Sequence, residues 1–81
     1  MNKWNRGDFF VLRGADREIE WFGMAIGSVL AVVIPHHEFH SPERYDQILI
    51  PKHAERVPES APPEAARDLF QMALVATKGL M

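Results

Sequence analysis

The sequence predicts a mainly β, α+β domain: a small antiparallel sheet of four to five strands followed by one C-terminal α-helix at about 62–78. Three observations point there. Short apolar blocks rich in aromatic and β-branched residues alternate with turn-forming clusters as far as residue 58. The longest apolar block contains Gly23 and Gly27, each of which costs a helix about 1 kcal/mol relative to alanine. Beyond Pro63, apolar residues recur at helical spacing. With 81 residues the chain makes one domain, with a β part at 8–58, a proline-containing connection at 59–63 and a helix at 64–78.

The elements follow in order. FFVL, residues 9–12, is a first strand, and the cluster Gly14-Ala15-Asp16-Arg17 reads as a turn. Residues 19–34 are either one helix or two strands. Strands are favoured because Ile19 and Trp21 alternate with Glu18 and Glu20, and because the block ends in Val32, Val33 and Ile34. A bend is then expected near Gly27-Ser28. Residues 35–43 form a histidine-bearing loop bounded by Pro35 and Pro42, and YDQILI, residues 45–50, is a further strand. Residues 52–58 read as one tight helical turn and a short extended piece. In the helix, Ser60 is the expected N-cap. Ala66, Leu69, Ala73, Ala76 and Leu80 mark its inner face, widened by Phe70, Met72 and Leu74. Lys78 is expected in the last turn and Gly79 at the stop.

Composition narrows the function. The 47% hydrophobic and 25% charged fractions are those of a folded domain, though a chain this size buries only roughly 60–65% of its unfolded surface. The absence of cysteine removes disulfides, thiolate metal sites and cysteine nucleophiles. Net charge is −2 with no basic run, which argues against general nucleic-acid binding. A local patch of Lys3, Trp4, Arg6, Arg13 and Arg17 is the one nucleic-acid alternative. The longest apolar run, residues 21–34, has fourteen residues, short of the roughly 20 that span a bilayer. No apolar leader follows the first charges, so a soluble, cytoplasmic protein is expected.

The order of strand, turn, long bent strand or hairpin, loop, strand, single turn and last short strand resembles SH3-like small β-barrels. The segment DQILIPKHAERVP, residues 46–58, is similar to the closing segment of the plasmid-encoded type II dihydrofolate reductases, which share that barrel; Gln47-Ile48 and Glu55-Arg56-Val57 carry the likeness. The resemblance covers residues 8–58 and leaves out the histidine loop and the helix. It implies a binding scaffold for peptides or nucleic acids and no catalytic residue.

The candidate sites are few. His36, His37 and His40 lie within five positions, and His53 could join them as ligands for zinc or another divalent transition metal. However, HHEFH is not the zinc-binding HExxH pattern, and the flanking prolines disfavour a helix there. Arg6-Gly7-Asp8 spells an adhesion tripeptide that chance also produces. No nucleophile motif or phosphate loop is present. Consecutive aromatics such as Phe9-Phe10 and Trp21-Phe22 must point to opposite faces of their strands, so either the helix covers the second face or an aromatic patch is left for a partner. The expectation is a non-enzymatic protein-binding module, an inhibitor or adaptor without a cofactor, such as viruses and mobile elements direct at host defences. Phe10, Arg13, Arg17, Trp21, Phe39 and Tyr45 are its candidate contacts. The alanine-rich helix or a free strand edge would also allow a homodimer.

Overall fold

The computed structural model describes residues 4–79. Five strands form one antiparallel sheet: β1 (Phe9–Arg13), β2 (Ile19–Ala25), β3 (Leu30–Pro35), β4 (Asp46–Leu49) and β5 (Glu55–Val57), in the order β4-β3-β2-β1-β5. A single 3₁₀ turn, His36–Glu38, follows β3, and one helix, α1 (Glu64–Ala76), closes the chain. Residues 19–34 are thus two strands joined by a turn at 26–29, as the glycines and β-branched residues foretell.

The apolar runs are consecutive rather than alternating because both faces of the sheet are buried. On one face Phe9, Val11, Phe22, Met24, Val32 and Ile34 pack against Ala66, Phe70 and Ala73 of α1. The alanines let the helix approach closely, and Phe70 meets Phe9 edge-on at 5.5 Å. On the other face Phe10, Leu12, Ala25, Ala31 and Val33 are covered by Trp4 and Ala54, with Ile48 and Ile50 at the margin. The Phe10 ring lies over Gly23, its partner across the β1–β2 ladder, where a Cβ would collide with the ring. Trp4 meets Phe10 edge-on at 5.3 Å, and the Arg56 guanidinium stacks 4.4 Å from the Trp4 ring.

The β1–β2 register shifts between Leu12 and Arg13: Leu12 faces Trp21, but Arg13 faces Ile19. One extra residue, Glu20, is taken up there, and such a bulge reverses which side chains point to which face. Ile19 therefore packs on the helix-side core while Trp21 joins the opposite one. The alternation in the sequence had placed them on one face. The adjoining turn is closed by bonds from Gly14 N–H to the Glu18 carbonyl and from Arg17 N–H to the Gly14 carbonyl. Arg17 has a φ of +69°, a left-handed conformation uncommon for a residue with a Cβ.

The helix ends differ from expectation. Pro63, not Ser60, occupies the N-cap and no side chain caps the first turn; proline needs no N–H partner there. The C-cap is Thr77, so Lys78 lies beyond the helix rather than in its last turn. Gly79 is in the left-handed region, φ +94°, where glycine carries no penalty. Met72 and Ala76 point outward, not into the core. The expected contribution of Leu80 lies outside the described residues, as does that of Lys3.

Arg6 and Asp8 have structural roles. Arg6 donates to the Ile26 carbonyl at 2.9 Å, to Thr77 Oγ1 at 3.3 Å and to the Leu74 carbonyl. It joins the β2–β3 turn to the carbonyl end of α1, where a cation also suits the helix dipole. Asp8 accepts the Asn5 N–H at 2.9 Å and pairs with Arg56. Both charged ends of the tripeptide at 6–8 are engaged within the fold.

Burial pushes the Asp8 carboxyl upward, but the Asn5 N–H and the Arg56 guanidinium outweigh it and hold it below the ordinary 3.8. A depressed carboxyl contributes stability above its unfolded pKa and loses it as pH falls through the folded one. Asp8→Asn is therefore expected to cost about 1–2 kcal/mol at pH 7. The difference from wild type should shrink steadily below about pH 4, as read from urea melts across the acid range.

Candidate functional site

At the end of the sheet where β2 begins and β3 finishes, a surface groove of about 770 Å³ opens. Its apolar floor is Ile19, Trp21 and Pro35. Trp21 and Pro35 face each other across the β2–β3 ladder, and the register shift at Glu20 turns Ile19 rather than Trp21 to the helix side. Trp21 is half-buried, so its ring both packs on the sheet and lines the opening.

Carboxylates surround this floor. Asp16, Glu18 and Glu20 come from the β1–β2 turn and bulge, Glu38 from the 3₁₀ turn, and Asp46 from the first position of β4. Asp16 accepts the Glu18 N–H at 3.0 Å, which fixes the turn. Against these five stand Arg44, His36 and His37. His37 lies 3.3 Å from Glu38 and is mostly exposed. The histidine-bearing segment therefore forms one wall of the groove.

The four histidines do not converge. His36 packs edge-on against Phe39 at 5.0 Å, His37 turns to the groove, and His40 lines a separate cleft with His36 between the loop and residues 61–63. His53 sits on the turn between β4 and β5. Among the described residues no three His, Asp or Glu side chains gather as a metal-holding set. The prolines at 35 and 42 keep the segment from the regular helix that would have brought His36 and His40 onto one face.

Phe10 and Phe39 are not surface contacts. Phe10 is fully buried and Phe39 only 5% exposed; Phe39 folds back onto Phe22 at 4.3 Å and plugs the helix-side core. Six of the eight aromatics, Trp4, Phe9, Phe10, Phe22, Phe39 and Phe70, are core residues. The sheet uses so many because it buries both faces. Trp21 and Tyr45 remain half-buried, Tyr45 against the helix-side core. Arg13 is exposed but engaged with Glu55 at 3.2 Å and with the Arg17 carbonyl at 2.9 Å. Arg17 projects from the β1–β2 turn. With Trp4 buried and Arg6 bonded to α1, the N-terminal basic and aromatic residues are dispersed rather than gathered on one face.

A second surface lies at the opposite end. Among the described residues, Val29, Leu49, Met72 and Val75 are the exposed large hydrophobics, at 60–76%. Arg6 brings the end of α1 beside the β2–β3 turn, and Leu49 pairs with Leu30 just after it. All four thus sit on elements that meet at this end. No helix among the described residues is long and apolar enough to cross a membrane.

Fold and groove together define a small α+β domain with an aromatic-floored, acid-rimmed cleft. No family model matches the chain, and neither a characterised protein nor a solved structure does.

Proposed function

We propose that this protein is a non-enzymatic docking module that acts on a larger protein, as an inhibitor or adaptor, through the groove around Trp21. The observation that carries the reading is a partly buried tryptophan, Trp21, held by the sheet at the floor of a cleft. Rigid aromatics in partly desolvated pockets dominate protein interfaces. The return of β5 to β1 after the tight turn at 51–54 supports the likeness to SH3-like binding barrels.

A displayed random-peptide library panned on the immobilised protein tests this. Selected peptides should compete with one another, and Trp21→Ala should weaken them at least tenfold. The exposed pair Glu18→Gln and Glu20→Gln gives a second groove variant that removes no core side chain. A library that yields no binder, or binders indifferent to every groove variant, would overturn the reading.

The exposed apolar end favours a second reading, self-association. β4 is an edge strand without lysine or proline, whereas the β5 edge is short and charged. Sedimentation at rising concentration should then show a dimer that Leu49→Glu disperses.

A further inference from the structure

We infer that the occupant of the groove is a cationic, extended protein segment carrying at least two lysines or arginines, one of them seated against Trp21. This rests on the docking reading above and specifies its partner.

Charge carries the argument. Five carboxylates against Arg44 give the groove −4 with its histidines neutral, while the whole chain is −2. Subtracting −4 from −2 leaves +2 on the rest of the sequence. The modest net charge conceals a polarised molecule whose acidic pole coincides with its cleft. Such a cleft concentrates positive ligands and repels nucleic acid.

The kind of cation follows from the spacing. The carboxylates come from three separate segments and do not gather into a set that would hold one metal ion. Dispersed charges suit several separate ammonium or guanidinium groups on one chain. The floor selects further: the face of an indole attracts such cations, and Pro35 beside it gives their aliphatic stems an apolar bed. An extended backbone fits because Asp46 starts β4, whose outer edge pairs with no other described strand.

Four defined probes test the inference: a Gly-Ser dodecapeptide with three arginines at alternate positions, the same peptide with glutamine, the same with glutamate, and a single-stranded oligonucleotide. Binding is followed by anisotropy and by the Trp21 indole N–H resonance. The arginine peptide should bind at least tenfold tighter than the glutamine one and shift that resonance. Its affinity should fall several-fold between low and physiological salt. Glu18→Gln with Glu20→Gln and Asp46→Asn should abolish the preference while the melt stays unchanged. Equal binding of arginine and glutamine peptides, or tighter binding of glutamate peptide or oligonucleotide, overturns the inference. The library separates the two failures. Groove-dependent library peptides lacking Lys and Arg sink the charge assignment and leave docking standing. No peptide acting at Trp21 sinks both.

Discussion

Gly23→Ala is expected to lower the melting temperature by roughly 10–20 °C, from about 3 kcal/mol of overpacking. The added methyl has nowhere to go: three carbons of the Phe10 ring already occupy its position, and that ring is fully buried beneath Trp4. Elsewhere in a strand the same change would be neutral or helpful, since alanine restricts the unfolded chain. The collision with Phe10 decides the sign. Phe10→Leu alone should also destabilise, by leaving part of its site empty. The double variant should nonetheless be less damaged than the two losses predict together. A double-mutant cycle by thermal melts measures that coupling, and simple additivity would remove the ring as the cause.

Phe70→Ala should be more damaging still, at about 3–5 kcal/mol. A domain of this length has only about 4–12 kcal/mol in total. Phe70 is the largest helix residue in the core and meets Phe9 across the layer boundary. Without it α1 keeps Ala66 and Ala73, which bury little area each. A thirteen-residue helix is marginal in water once undocked. The expected result is loss of helical circular dichroism together with new binding of a hydrophobic dye, as the helix-side face of the sheet becomes wet. Retention of the helical signal with a melt near wild type would mean that the alanines alone hold α1.

Much of this fold is legible in the residues. Gly27, the β-branched Val29, Val32, Val33 and Ile34, and the prolines at 35, 51 and 58 mark where strands start and stop, because these effects are local. The register shift at Glu20 is not legible, since it depends on which β1 residue meets which β2 residue. The helix is capped at Pro63 rather than Ser60, next to the fully buried Pro62, and burial of that proline opposes a capping preference of about 1 kcal/mol. The site was harder to read. His36, His37 and His40 draw the eye by adjacency, yet adjacency in a loop scatters side chains in direction. Asp16, Glu18 and Glu20 read as ordinary solvated charges, and Glu38 and Asp46 as possible companions of the histidines. Only the return of β2, β3 and β4 to one end of the sheet assembles them. Trp21 did stand out early, but so did Phe10, and one residue's place in the strand pairing separates a floor from a core.

The Arg6 contacts have a temporal consequence. Its acceptors lie 20, 68 and 71 positions further along the chain, and β5 must travel back to β1 across more than forty residues. The stitches that close this molecule are the ones separated by the most chain. During synthesis from the amino end, β1, β2 and β3 can pair early, but the β5 flank and the helix-side cover come from the final third. Until they arrive, the helix-side face stands open and Trp4 alone covers part of the other. This architecture folds last what it needs most, so its nascent chain is exposed to aggregation for most of its birth.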